Sequence, residues 1–330
     1  MVPQTFAAAD AVELAVVERS GFVESRHSGS AIVLGPDGVV VQQLGAVTAP
    51  ILPRSSLKPL QALACLTAGA PLEGERLALA SASHSGTDRH VSVVRDILDS
   101  ARLGEEALAC PPAWPTDQAT RDEMVREHYE PSRIRMNCSG KHAAMLLTCS
   151  VNNWDPRGYL DPGHPVQAHI RDVIERLIGE KAAVTAIDGC GAPVYAMSLS
   201  GLAKAIQRVG TSSQTSPFAL HRSAGTLVRA VREHPWAIDG PGRPDTIAIE
   251  RLGVFAKTGA EGVMVMVAPD GTTVALKILD GSARAATAVA VRLLERAGAL
   301  APADVAETLA ALPLSIHGGD STVGAIRPAF

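Results

Sequence analysis

The stretch Ala31-Ile32-Val33-Leu34-Gly35-Pro36-Asp37-Gly38-Val39-Val40-Val41 is two apolar runs closed by a turn. Pro36 presets the backbone entering the turn, and Gly38 supplies conformations that a side chain would strain. The same grammar recurs towards the other end, where Gly262–Ala268 and Thr273–Leu279 flank Pro269-Asp270-Gly271. Both stretches predict antiparallel strand pairs. Ala11–Val17 predicts a further strand, returning to the first pair through a turn near Ser20-Gly21. Between these ends the spacing becomes helical, over Leu57–Leu66, Asp88–Ala101, Lys141–Cys149, Val166–Leu177, Pro217–Val231 and Arg284–Ala297. Val184–Ile187 predicts a strand that runs into the tight loop Asp188-Gly189-Cys190-Gly191-Ala192-Pro193. Strands at both ends with helices between them predict an α+β fold whose N- and C-terminal strands share one antiparallel sheet. An α/β lobe would take roughly residues 1–55 and 184–330, and a mainly helical lobe roughly 56–183. Gln214–Pro217 and Gly240–Pro244 predict exposed loops.

The chain has 330 residues, enough for one large domain or two closely packed lobes. Its core must be built mostly from Ala, Val, Leu and Ile, because aromatics are only 3% of the residues. Thirty Lys and Arg against 34 Asp and Glu leave a net charge of −4. That balance argues against a general nucleic-acid binder and against a polybasic membrane anchor. No apolar run approaches the length of about 20 residues that a bilayer requires. Met1–Val17 has no basic segment and carries Asp10 and Glu13, so it does not read as a signal peptide. Five cysteines, an odd number spread widely, fit a reducing cytoplasm better than a disulfide framework.

Four short stretches carry chemistry. In Arg54-Ser55-Ser56-Leu57-Lys58, the Ser55 hydroxyl and Lys58 amine are spaced to share a helix face. A serine needs a base to become a nucleophile, and a lysine serves only when burial or a neighbouring cation keeps it neutral. Lys257-Thr258-Gly259, on a strand, would bring a second cation to the cleft, with Gly259 letting a substrate lie along the strand edge. Each motif alone also fits a capping serine or a solvated lysine. Together, in this order around a helical insert, they match the pairing in serine β-lactamases and penicillin-binding proteins, although Ser-Asp-Asn is absent. Ser81-Ala82-Ser83-His84-Ser85-Gly86 ends an apolar segment, where a serine can face a cleft; His84 alone reads as a loop or capping histidine. Met136-Asn137-Cys138-Ser139-Gly140-Lys141-His142 opens a helix, with Cys138 where a thiolate is favoured. Cys190 is its natural distant partner. On spacing alone these two are unpaired thiols in buried loops, since a strong zinc signal has four Cys or His ligands. Cys65, Cys110 and Cys149 read as core residues.

Taken together these stretches, with Asp188-Gly189-Cys190-Gly191-Ala192-Pro193 and Lys277-x-x-Asp280-Gly281, resemble the asparaginase II family of rhizobial-type L-asparaginases. The resemblance runs from about Val16 to about Ala297. It implies a fold similar to serine β-lactamases and glutaminases, and hydrolysis of L-asparagine to aspartate and ammonia. It implies Ser55 as nucleophile with Lys58 as its base, and Ser83 with Lys257 as a second Ser–Lys pair. Arg54, His84 and Asp188 are expected to bind substrate. Cys138, Lys141 and Cys190 are expected to hold zinc with water. A cytoplasmic homodimer is expected. Other readings are a serine amidohydrolase acting on glutamine, a peptide or a β-lactam, and a metal-dependent amino-acid binding protein without turnover.

Overall fold

A computed structural model describes residues 4–330; Met1–Pro3, part of the stretch weighed above as a signal peptide, lie outside the described residues. The chain begins with strands β1 (Val12–Arg19), β2 (Phe22–Leu34), β3 (Val40–Leu44) and β4 (Pro50–Ile51). A 3-10 turn over Arg54–Leu57 leads into the helices α1 (Lys58–Thr67), α2 (Gly74–Ala80), α3 (Asp88–Ser100), α4 (Gln118–Arg126), α5 (Ser139–Val151) and α6 (Pro165–Ile178). Strands β5 (Val184–Ile187) and β6 (Pro193–Ser198) precede α7 (Leu199–Gly210), α8 (Ala219–Glu233) and α9 (Pro244–Leu252). Then come β7 (Phe255–Gly259), β8 (Val263–Val267), β9 (Thr273–Ile278), α10 (Ala286–Arg296), α11 (Pro302–Ala311), β10 (Ser315–Gly318) and β11 (Ser321–Pro328).

The expected shared sheet forms. Its order is β10-β11-β1-β2-β9-β8-β7, with β3 also paired to β2, and every pairing is antiparallel. N-terminal β2 meets C-terminal β9 in register from Gly29–Ile278 to Leu34–Thr273. Every residue of β8 and β9 is buried, so both sheet faces are covered. Helices α7 and α10 both pack on these two strands and provide that cover. A smaller sheet, β4-β6-β5, carries the Asp188–Ala192 loop between its last two strands.

Helices α1 and α5 are buried along almost their whole lengths, from Lys58 to Cys65 and from Ser139 to Cys149. A helix apolar on all sides belongs in a core, and here two buried helices bring Lys58 and Lys141 inward with them. Among the described residues no helix is long and apolar enough to cross a membrane. One expectation is corrected. Gly240, read as part of an exposed loop, is buried. Its backbone passes so close to the Ser85 hydroxyl that a Cβ would overlap it.

Candidate active site

The 3-10 turn at Arg54–Leu57 is held from three directions. Arg54 has φ +52°, a left-handed conformation that costs a non-glycine residue about 1–3 kcal/mol. Its guanidinium donates from Nε to Asp188 Oδ1 at 2.6 Å. Inside the turn, Ser56 N and Oγ both donate to Pro53 O, at 3.2 and 2.7 Å. On the third side Gly259 of β7 lies flat against the turn; a Cβ there would overlap Pro53 O and come within 3.1 Å of Ser56 N. Ser55 stands at the centre, half-buried, and among the described residues its hydroxyl has no hydrogen-bond partner.

Lys58 follows on the same turn and is 1% exposed. Its Nζ meets Ala82 O at 2.5 Å, Ser83 Oγ at 3.0 Å and Asn137 O at 3.5 Å. Burial pulls its pKa down; Cys138 opposes this, and the Lys257 and Lys141 charges reinforce it. Both carbonyls can only accept. In a neutral amine, two N–H groups serve them and the lone pair faces the Ser83 hydroxyl, the one neighbour of the three that donates.

The structure therefore pairs the two serines and lysines differently from expectation. The contact runs from Lys58 to Ser83, because α1 points Lys58 at the end of α2, where Ala82 and Ser83 leave the helix. Lys257, 1% exposed, lies instead against Thr258 O at 2.8 Å and the Asp245 carboxylate at 3.5 Å. Asp245 was not legible as a site residue: it stands directly after Gly240–Pro244, which reads as an exposed loop, at the start of α9. Yet it is fully buried and also accepts from Thr258 N at 2.8 Å and from the Thr258 hydroxyl.

Asp188 and Arg54, both expected to bind substrate, bind one another. Burial alone would lift the Asp188 carboxyl, but Arg54 and Lys141 bring it below the usual range. His84 is completely buried and bonds Ser139 Oγ through Nε2 at 2.9 Å. It stacks on His90 at 5.1 Å. Burial, His90 and Lys58 hold it neutral.

Cys138 caps the N-terminus of α5, and Lys141 one turn later reaches Cys190 Sγ at 3.1 Å. Contact with Cys190 pulls the Cys138 thiol well down against the cost of burial, and Lys58 and Lys141 assist. The Cys190 thiol is pushed up by Cys138 and by burial. Burial works against the charge on Lys141, but Cys190 and Cys138 more than compensate and raise its pKa. Among the described residues no group of three or more His, Cys, Asp and Glu is arranged to hold a metal. The donor set that does converge is two sulfurs and an amine, which fits a soft divalent ion once Lys141 has lost its proton.

A cavity of about 380 Å³ opens beside Arg54, walled by Ile51, Leu52, Val184 and Leu279 and edged by Glu261 and Lys277. Arg54 is the one residue it shares with the cluster around Ser55, Lys58 and Ser83.

Residues 15–328 match the family described as L-asparaginase II. The chain belongs to that family. Membership of the L-asparaginase II family supports a hydrolase acting on amides. A comparison with curated protein sequences gave no match. Among solved structures, the chain is similar to Mglu in its native form at 12% identity and a TM-score of 0.45, over 81% of this chain and 63% of that one. It is also similar to a Bacillus glutaminase at 12% identity and a TM-score of 0.42, over 82% of this chain and 91% of that one. The chain thus spans less than two thirds of the length of Mglu, and likenesses this distant carry no inference about chemistry.

Proposed function

We propose that this protein hydrolyses the side-chain amide of L-asparagine through an acyl-enzyme. The observation that carries this reading is Lys58: a buried amine with no carboxylate beside it among the described residues, 3.0 Å from one serine and three residues from another. Family membership over residues 15–328 supports the amide substrate class.

In this reading the Ser55 hydroxyl attacks the side-chain carbonyl carbon, and its proton passes to neutral Lys58. The oxyanion accepts from backbone N–H groups near Ser55 and along β7. Collapse breaks the C–N bond, and Lys58 returns the proton to the leaving nitrogen, which departs as ammonia. Water then attacks the ester, giving a proton to Lys58; Lys58 passes it to the departing Ser55 oxygen, restoring the serine, and the aspartic acid formed loses its remaining proton to the released ammonia. Burial, reinforced by the Lys257 and Lys141 charges, lowers the Lys58 pKa against Cys138 and so favours the neutral amine this step needs. Arg54 and Asp188 offer opposite charges to the substrate's carboxylate and amino groups. Cys138, Cys190 and Lys141 would hold zinc, which when bound supplies a positive charge and an oxygen-binding position. In the binding role, the chain's own contribution is the strained turn that fixes Arg54.

One observation favours a second assignment of the nucleophile: it is Ser83, not Ser55, that touches Lys58. Peptide mapping of acyl-enzyme trapped by rapid acid quench decides between them. The ester is expected on the Ser55 peptide and absent from Ser55→Ala. An ester on the Ser83 peptide reassigns the nucleophile. Binding of L-asparagine with no ammonia released from it or from L-glutamine, and no ring opening of a β-lactam, removes the enzymatic reading.

A further inference from the structure

We propose that Asp245 is the positioning residue of the cleft: it fixes Lys257 and the outer edge of β7, and so sets the geometry in which the amide is cleaved. The inference rests on the proposed role of Lys257.

The geometry is specific. β7 is the last strand of the large sheet, so one of its edges has no neighbouring strand. On that strand Thr258 N finds its acceptor in Asp245 Oδ2 at 2.8 Å. The other oxygen, Oδ1, takes the Thr258 hydroxyl. Oδ2 also faces Lys257 Nζ at 3.5 Å. One fully buried carboxylate thus holds two consecutive residues of the strand, and the next residue is Gly259, against which the Ser55 turn rests. A buried carboxylate is costly unless its oxygens are satisfied, and here every partner belongs to the site.

The neighbouring acid does not share this role. Asp239 bonds Arg243 Nε at 2.7 Å rather than β7. Burial and the nearby Asp245 push its carboxyl up. Lys58, for its part, has carbonyl and hydroxyl partners and, among the described residues, no carboxylate in contact. The two lysines are therefore built differently: Lys257 is held by an ion pair, and Lys58 is left to exchange its proton with a serine.

The test is a double-mutant cycle on L-asparagine turnover with Asp245→Asn, Lys257→Met and both together. Asparagine keeps the shape and one acceptor while removing the charge. Asp245→Asn is expected to lower kcat at least about tenfold with KM changed less than about threefold. In the Lys257→Met background it should cost clearly less, because only the Thr258 contacts then remain to be lost. Equal losses in both backgrounds would mean a merely structural acid and overturn the proposal, as would wild-type kcat in a folded Asp245→Asn protein. Wild-type turnover in Lys257→Met would instead remove the role given to Lys257, and this inference with it. Should Asp245→Asn not fold, Asp245→Glu retains the charge but displaces it. A several-fold loss of kcat at unchanged KM then supports positioning, and wild-type kcat overturns it.

Discussion

Gly259 lies so close to Pro53 that the carbonyl oxygen of one fills the place of the missing side chain of the other. This contact joins the last strand of the large sheet to the turn that carries Ser55. Any side chain at residue 259 must push the turn away from β7. Gly259→Ala is expected to lower kcat at least about a hundredfold, since a displacement of about 1 Å is enough for such a loss. The fold should survive, because the strand remains paired from Phe255–Val267 to Gly259–Val263. Steady-state kinetics alongside thermal unfolding check this; an active Gly259→Ala enzyme would show that the turn has room to move.

The charge on Lys257 has a measurable consequence at Lys58. Burial, opposed by Cys138 and reinforced by Lys257 and Lys141, holds the Lys58 amine below its ordinary range. Deprotonated Lys58 is the active form in the proposed reaction, so activity rises with pH through its pKa. Lys257→Met removes one like charge, which raises that pKa. The rising limb of the residual pH–rate profile should therefore move to higher pH. A limb that stays in place, or moves lower, would uncouple the two lysines.

The sheet was legible because two turn-forming sequences, Gly35-Pro36-Asp37-Gly38 and Pro269-Asp270-Gly271, sit between apolar runs. Among the helices legible in the sequence, Asp88–Ser100 shows a clean apolar stripe; Leu199–Gly210 shows one as well but was missed. The closing strands Ser315–Gly318 and Ser321–Pro328 were not legible, because they are short and mostly polar or exposed and are specified by pairing with β1. The helix Gln118–Arg126 was missed for a related reason: it buries only Met124 and so has no stripe. In the site, local spacing placed Ser55 beside Lys58 but could not show where the lysine points. That direction depends on the segment just past α2, which brings Ala82 to the amine from 24 residues along the chain. Asp245 has no local signature at all; its meaning comes from a strand 13 residues later.

The connection from α6 to β5, the strand that leads into the Asp188 loop, is held by Glu175. Glu175 accepts from Lys181 Nζ at 2.6 Å, from Ala182 N at 3.2 Å and from Arg171 Nε at 3.1 Å. Lys181 first, then the backbone N–H and Arg171, outweigh burial and hold its carboxyl below the ordinary value. A carboxyl depressed in the folded state stabilises fully above its unfolded pKa of about 4.3 and loses that contribution as pH falls through the folded value. Glu175→Gln should therefore lower Tm relative to wild type at neutral pH, with the difference shrinking progressively below about pH 4. A Tm difference independent of pH would assign the effect to packing.

The cluster of Cys138, Cys190 and Lys141 offers two thiols and an amine at one point, which suits zinc better than magnesium or calcium. In the absence of metal its charges satisfy one another: Cys138 is drawn towards the thiolate and Lys141 towards the ammonium. Zinc must then compete with protons, one on Lys141 and one on Cys190, whose thiol is pushed up by its neighbour. Binding should release protons into a weakly buffered solution and weaken as pH falls. Protein prepared with zinc is expected to carry it, and Cys138→Ser and Cys190→Ser to lose most of it. With so few protein ligands the metal should be removable by a chelator with little loss of fold, unlike a four-cysteine site that organises its domain. The competing arrangement is a disulfide between Cys138 and Cys190 after oxidation, which would forbid zinc and be reversed by thiols. Elemental analysis of wild type and both variants, with thiol titration before and after reduction, separates the two. Zinc retained in full by either serine variant would remove these sulfurs from the metal site.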